Sequence, residues 1–253
     1  MKNIILTGAS RGIGKALSIE LAKKGYNLCL IARNIELLKE LKISLNHINP
    51  NINIFQCDVS KYYSVKDSIE FAQQTFDTID LAILNAGISG SWKFIDFKVE
   101  NLKNIYDVNI FGVANYLEFL IPIMKKQGYG KIAAVSSLAD ARGFPANSDY
   151  CSSKAALSQL LEGARLELKT YNIDIVTIRP GFVKSDMTAK NKFYMPFLME
   201  TKKAAEIIIN GLEKNTERIS FPRPMVFGSW LMRAMPSSLF EKIVKFKKYF
   251  EYE

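Results

Sequence analysis

Short apolar runs alternate with amphipathic stretches along this chain. Lys2-Asn3-Ile4-Ile5-Leu6 opens it as a strand-type run, and Asn27-Leu28-Cys29-Leu30-Ile31-Ala32 follows as a second. Between them Ala16, Leu17, Ile19, Glu20, Leu21 and Ala22 recur at helical spacing, and Gly25 ends the stretch. The pattern repeats. Strands are predicted near 2–7, 27–32, 52–57, 79–84, 131–136, 173–179 and 218–221, with helices between them. The longest helix is predicted from near Ser148 to near Tyr171. Apolar strands alternating with helices imply a parallel sheet covered on both faces. No internal repeat, low-complexity tract or interdomain linker interrupts the pattern.

The link from the first strand to the first helix is Thr7-Gly8-Ala9-Ser10-Arg11-Gly12-Ile13-Gly14. Strand, glycine-rich turn and helix together open a dinucleotide-binding βαβ unit. Gly8 allows a sharp turn, Gly12 lets backbone approach a pyrophosphate, and Gly14 lets the helix pack close to the strand. The helix N-terminus offers free N–H groups to phosphate. The segment Gly8-Ala9-Ser10-Arg11-Gly12 also fits the nucleophile elbow of α/β-hydrolases. That elbow needs a later acid and then a histidine. The sole histidine is His47, in a helical stretch before most of the sheet, and it reads as a solvated helix residue. One histidine and three scattered cysteines give no metal-binding cluster.

Tyr150 and Lys154 stand one helical turn apart in Tyr-Cys-Ser-Ser-Lys. An ammonium near a phenol favours the phenolate, so the Tyr150 pKa is expected to fall from its ordinary value of about 10. Such a tyrosine can exchange a proton with a substrate oxygen.

Taken together, these motifs resemble the compact branch of the short-chain dehydrogenase/reductase family, over roughly residues 2–221. Thr7–Gly14 matches the family's glycine loop. Asp58-Val59 matches the pair whose acid contacts adenine, and Asn85-Ala86-Gly87 the motif ending the fourth strand. Asn109 matches the asparagine of the following helix, and Pro180-Gly181 the turn beside the nicotinamide. Ser137 lies thirteen residues before Tyr150, where the family keeps a serine. The resemblance implies a single Rossmann-type, doubly wound α/β domain with a seven-stranded parallel sheet. It implies hydride transfer between a nicotinamide and a ketone, aldehyde or secondary alcohol. Tyr150 would be the acid or base. Lys154 would tune it and hold the nicotinamide ribose, Ser137 would bind the substrate oxygen, and Asn109 would hold a relay water through its backbone. Cofactor contacts are implied for Gly8, Ser10, Arg11, Gly12, Ile13, Gly14, Arg33, Asp58, Val59, Asn85, Ala86 and Gly87. They are implied also for Tyr150, Lys154, Pro180, Gly181, Val183 and Ser185, the last standing where the family commonly has threonine. Ser136 competes with Ser137, but strand neighbours face opposite ways. The spacing to Tyr150 favours Ser137.

The second strand ends in Ala32 rather than a carboxylate, and Arg33 follows. A carboxylate there would serve the ribose hydroxyls of NAD. A guanidinium suits the extra phosphate of NADP, and Arg11 is a second cation in reach. The expectation is NADP(H), with NAD(H) the alternative, and carbonyl reduction as the direction.

A chain of 253 residues with 48% hydrophobic content can bury one large core. Residues 1–222 are assigned to the catalytic domain and 223–253 to a C-terminal extension of it. The net charge of +9 is spread widely without a recognition motif, so nucleic acid is not expected as a partner. Met1 runs straight into the first strand and no apolar run approaches the ~20 residues of a membrane span. Cys29, Cys57 and Cys151 fit a reducing cytoplasm. Cys151 adjoins Tyr150 and is read as a silent helix residue in preference to a reactive thiol.

Asp140 stands where the family often has a small residue, which implies a changed pocket wall. The segment 187–200 is rich in Met and Phe and corresponds to the family's substrate lid, implying an apolar substrate. The tail interleaves Phe227, Trp230, Leu231, Met232, Leu239, Phe240, Ile243, Phe246, Tyr249 and Phe250 with Arg223, Arg233, Lys242, Lys245, Lys247 and Lys248. Packing over the pocket or a subunit is the preferred reading, ahead of peripheral membrane contact. A homodimer or homotetramer is expected, since the family pairs through the helix carrying Tyr150. The competing function is a nucleotide-binding regulatory or scaffold protein without turnover.

Overall fold

The computed structural model describes residues 2–90, 92–190 and 193–246. Seven strands, β1 (Asn3–Thr7), β2 (Asn27–Ala32), β3 (Ile52–Gln56), β4 (Leu81–Leu84), β5 (Gly130–Val135), β6 (Ile173–Pro180) and β7 (Arg218–Phe221), form one sheet. All pairs are parallel, in the order β3-β2-β1-β4-β5-β6-β7. The order reverses between β1 and β4, and a ligand crevice belongs beyond the carboxyl ends of the strands at such a reversal.

Alternation in the strands divides the core in two. Ile4 and Leu6 join Leu28, Leu30 and Ile83 on one face, under α1 (Gly12–Lys23), α2 (Ile35–Leu45) and α7 (Thr201–Glu213). Ile5 joins Cys29, Ile31, Ala82 and Ile132 on the other. There α3 (Tyr62–Thr75), α5 (Gly112–Gln127) and α6 (Ser148–Leu168) cover it, with α4 (Val99–Tyr106) leading into α5. Each central strand is therefore apolar at nearly every position, as the sequence shows.

The predicted boundaries move where side chains take over backbone hydrogen bonds. Ile79 N–H donates to Gln127 Oε1 at 2.9 Å, and Gln127 Nε2 returns to Ile79 O at 3.1 Å, so β4 begins at Leu81 and not at 79. β6 runs to Pro180, whose partner is Phe221. The long helix ends at Leu168 in a 3-10 turn, Lys169–Tyr171, closed by Asn172 at a φ of 56°. α2 stops at Leu45, which leaves His47 in an exposed turn rather than on a helix.

Beyond β7 the chain forms α8 (Arg223–Ala234) and α9 (Ser237–Phe246). The Arg142 guanidinium holds the end of α8 by donating to Met232 O at 2.8 Å and to Met235 O. Phe240 of α9 packs edge-on against Phe144 at 5.7 Å. Both anchors lie between β5 and α6, so the extension docks beside the candidate site. Phe227, Trp230 and Leu231 of α8 remain exposed. Lys247, Lys248, Tyr249 and Phe250 lie outside the described residues, as do the side chains of Lys245 and Phe246. Among the described residues no helix is long and apolar enough to cross a membrane.

Candidate active site

The strand ends gather the sequence-predicted residues along one crevice. At β1, Gly8 adopts a φ of +63°, which permits the sharp turn. A Cβ on Gly14 would stand 2.0 Å from Gly8 O, so the start of α1 rests directly on the loop. No side chain caps α1, which leaves its first N–H groups without a side-chain partner at the loop. Thr7 Oγ1 accepts from the N–H of both Asn85 and Ala86, at 3.0 and 3.1 Å. Asn85 Nδ2 donates to Thr7 O and Gly8 O, both at 3.2 Å. The ends of β1 and β4 are thereby held together across the reversal point. A Cβ on Gly87 would press Asn109 Oδ1 at 3.2 Å and Lys154 Nζ at 3.4 Å. These close backbone approaches form a cradle that suits a dinucleotide.

Arg33 is exposed just past β2, whose last residue Ala32 is buried. Arg11 reaches Asp186 at 3.5 Å, with both side chains mostly solvated. Asp58 is turned on itself: its Oδ1 accepts from Ser60 N–H at 3.0 Å and from Ser60 Oγ at 2.8 Å. Val59 and Val183 are buried. Ser185 N–H donates to Thr188 Oγ1 at 2.9 Å, which shapes the turn after Pro180-Gly181.

The end of β5 grips Lys154 at two points. Lys154 Nζ donates to Val135 O at 2.8 Å, and Ser136 Oγ donates to Lys154 O at 3.0 Å. Ser136 thus faces away from the crevice, as strand alternation requires. Ser137 caps the following turn, accepting from Ala139 N–H at 3.1 Å, and its hydroxyl also reaches Tyr150. Lys154 Nζ lies 5.7 Å from the centre of the Tyr150 ring.

Asn109 sits not in a plain helix but in a π-helical turn, Asp107–Phe111, between α4 and α5. Such turns interrupt the helical hydrogen-bond ladder and recur at functional sites. Its side chain is fully occupied. Oδ1 accepts from Ile88 N–H at 2.9 Å, and Nδ2 donates to Ile88 O at 2.9 Å and Ser153 Oγ at 3.0 Å. Ser153 Oγ in turn donates to Tyr150 O at 2.8 Å.

The expected downward shift of Tyr150 is reversed. Burial pushes the phenol up to about 12, opposed by the Ser137 hydroxyl, with Cys151 and Asp140 adding to the rise. Burial also brings Lys154 down to about 8. Desolvation disfavours both charged forms and outweighs the attraction between them. Cys151 is buried and its thiol is raised to about 11, a silent residue.

Asp140 does not line a pocket wall. Its carboxylate turns inward to Arg179 Nε at 2.7 Å and Ser158 Oγ at 2.6 Å. The 187–200 segment divides its apolar residues, with Asn191 and Lys192 outside the described ones. Met199 packs on the core and Phe193 meets Phe182 at 5.8 Å, whereas Tyr194, Phe197 and Leu198 are exposed. Trp92 has no motif around it in the sequence. Its indole N–H donates to buried Asp149 Oδ2 at 2.8 Å beside Tyr150, and its ring meets Phe94 and Phe97, each at 5.0 Å.

The comparisons with known proteins agree with this fold. The short chain dehydrogenase family matches residues 2–193. An uncharacterized oxidoreductase of Myxococcus xanthus is 32% identical over 240 residues, covering 95% of each chain. A short chain dehydrogenase/reductase of Burkholderia phymatum in complex with NAD superposes with a TM-score of 0.84 over 91% of this chain and 92% of its own, at 19% identity. An alcohol dehydrogenase of Thermococcus sibiricus, complexed with 5-hydroxy-NADP, gives 0.78 over 87% and 96%, at 26% identity. The chain belongs to the short chain dehydrogenase family of oxidoreductases.

Proposed function

We propose that this protein is an NADP(H)-dependent carbonyl reductase in which Ser137, Tyr150 and Lys154 act on the substrate oxygen and Asn109 sets the surrounding backbone. The observation that carries this reading is the convergence of Ser137 and Lys154 on Tyr150, with the phenol held protonated near neutral pH. A protonated phenol is the form that carbonyl reduction uses. The bound nicotinamide supplies the hydride. Tyr150 gives its proton to the carbonyl oxygen, Ser137 fixes that oxygen by hydrogen bonding, and Lys154 offsets the negative charge that develops.

The relatives do not agree on one cofactor, since the Burkholderia structure holds NAD and the Thermococcus structure an NADP derivative. This chain's own residues favour NADP(H). Ala32 presents no carboxylate to repel a 2′-phosphate, and exposed Arg33 and Arg11 supply cations. Gly8, Ser10, Gly12, Ile13, Gly14, Asp58, Val59, Asn85, Ala86, Gly87, Pro180, Gly181, Val183 and Ser185 form the rest of the proposed cofactor site. The exposed Tyr194, Phe197, Leu198, Phe94 and Phe97 favour an apolar substrate.

Three free, buried cysteines support a cytoplasmic location. Exposed Leu160 and Leu166 on α6 support pairing of two copies through that helix, and the apolar face of α8 is assigned to subunit packing ahead of membrane contact. Flotation with vesicles that is lost on removing 223–253 would reverse that order.

Fluorescence titration with NADPH and NADH, followed by a carbonyl panel, tests the main reading. NADPH should bind more tightly, and Tyr150→Phe should retain binding while abolishing NADPH oxidation. Absence of binding by either nucleotide would overturn it.

A further inference from the structure

Behind the candidate site lies a polar chain whose side chains, Asp140, Arg179, Ser158 and Ser136, have no assigned part in the chemistry. Asp140, with its side chain only 1% exposed, takes Arg179 at both carboxylate oxygens, Nε at 2.7 Å and Nη2 at 2.5 Å. The same Oδ2 accepts from Ser158 Oγ at 2.6 Å. Ser158 Oγ lies 2.8 Å from Ser136 Oγ, and Ser136 Oγ donates to Lys154 O at 3.0 Å. Asp140 N–H donates to Ser137 O at 3.2 Å. Among the described residues every buried side-chain polar atom has a partner. Each serine has one hydroxyl proton, so with Ser158 donating to Asp140 Oδ2, Ser136 donates either to Lys154 O or to Ser158 Oγ.

Each end of it touches a different part of the site. Ser137 and Asp140 share one turn after β5. Ser158 lies one helical turn beyond Lys154 on α6. Arg179 precedes Pro180-Gly181 at the end of β6. One buried carboxylate therefore fixes the relative placement of the serine turn, the lysine helix and the Pro-Gly turn.

We infer that Asp140, through Arg179 and Ser158, is a positioning residue that sets the distance between Ser137 and the Tyr150–Lys154 helix during reduction. The inference rests on the reductase reading above. Chelation of a guanidinium by two oxygens gives direction as well as charge. A satisfied buried network holds one geometry, and a partly satisfied one does not. Ser136 is central: its hydroxyl joins the network to Lys154 O, while the adjacent Val135 O takes Lys154 Nζ. Movement of Ser158 would loosen the first of these two grips and leave the second to hold the lysine alone.

Two variants test this in the full chain, with NADPH and a carbonyl substrate that the wild type reduces. Ser158→Ala leaves the Asp140–Arg179 pair in place and removes the hydroxyl that joins Asp140 to Ser136. Asp140→Asn removes the charge that holds Arg179. Misplacement by about 1 Å can cost on the order of a hundredfold in rate. The expected result is a kcat at least about tenfold lower in Asp140→Asn and several-fold lower in Ser158→Ala, with KM for NADPH within about twofold in both. Ser158→Ala should keep its Tm within a few degrees of wild type, so its loss of kcat cannot be unfolding. Wild-type kcat in a folded Ser158→Ala overturns the inference even where Asp140→Asn does not fold. Equal loss of kcat and NADPH affinity would overturn it too, by making the network a cofactor-loop support. A wild type that binds NADPH and reduces no carbonyl would instead overturn the reductase reading, and the inference would fall with it.

Discussion

The Lys154 ammonium donates to the Val135 carbonyl at 2.8 Å, two residues before Ser137 on the same strand end. Lys154 is 3% exposed and has no carboxylate as a partner in this bond. A lysine held this way is an unfavourable charge in the fold, retained at the place where it faces Tyr150.

Replacing it should separate stability from activity. The fall from 10.5 to about 8 corresponds to roughly 3 kcal/mol at 1.36 kcal/mol per unit. Loss of the hydrogen bond to Val135 O returns about 1–3 kcal/mol of that. Lys154→Met should therefore be at least as stable as wild type at pH 7 while losing carbonyl reduction. The unfolded lysine takes its proton near 10.5 and the folded one only near 8, so the penalty on wild type is full below about 8 and fades as pH rises to 10.5. The advantage of Lys154→Met should shrink across that window. Urea titrations at pH 7 and pH 10 measure it, and a variant markedly weaker than wild type at pH 7 contradicts the argument.

The same shift sets the rate profile. Tyr150, raised to about 12, keeps its proton through the neutral range, so it should not limit reduction there. Lys154 loses its charge as pH passes about 8. The rate of NADPH-dependent reduction, kcat against pH, should hold level through neutrality and fall above about 8. A profile still flat at pH 9.5 would show that the ammonium charge is not needed in the rate-limiting step.

Much of this site was legible because backbone constraints leave marks in sequence. Gly8 and Gly14 were readable because a turn at positive φ and a Cβ 2.0 Å from a carbonyl both exclude side chains. The split between Ser136 and Ser137 followed from strand alternation together with the thirteen-residue spacing to Tyr150. What was missed depends on distance through space. The sign of the Tyr150 shift required knowing that burial outweighs one nearby cation. Asp140 read as a pocket wall because its partner, Arg179, lies 39 residues along the chain. The π-helical turn at Asn109 left no mark in the sequence, since Asp-Val-Asn-Ile-Phe contains no Gly or Pro to break the helical pattern. Arg142 closing the end of α8 crosses 90 residues, and neither segment announces the other.

Cofactor choice should respond to Arg33 in one direction only. A charge-assisted hydrogen bond is worth about 1.5–3 kcal/mol, and 1.4 kcal/mol is a factor of ten. Solvent exposure of Arg33 places the effect at the low end. Arg33→Ala should weaken NADPH binding about tenfold and leave NADH nearly unchanged. Arg11 already shares its charge with Asp186, so Asp186→Asn should tighten NADPH modestly and steepen its salt dependence slightly. Equal weakening of both nucleotides by Arg33→Ala would mean that this residue supports the loop and not the 2′-phosphate.

Gly14 offers the sharpest test of the loop. An alanine there would place its Cβ 2.0 Å from Gly8 O and 2.7 Å from Asn85 Nδ2. Neither neighbour can yield freely. Gly8 is fixed by its own turn, and Asn85 Nδ2 is bonded to Thr7 O and Gly8 O. Either α1 tilts away from β1 or the loop opens at Asn85. Tilting α1 disturbs its packing on α7, where Leu17 and Leu21 are buried against Ile208 and Ala205 in one cluster. Overpacking of this kind costs about 1–3 kcal/mol. Opening the loop moves the first N–H groups of α1 from the place where a pyrophosphate would sit. Gly14→Ala should therefore lower Tm and reduce NADPH and NADH binding alike, which separates it from Arg33→Ala. Calorimetry with each nucleotide decides the matter: wild-type affinity in a folded Gly14→Ala would show that close approach of α1 to the loop is not what holds the dinucleotide.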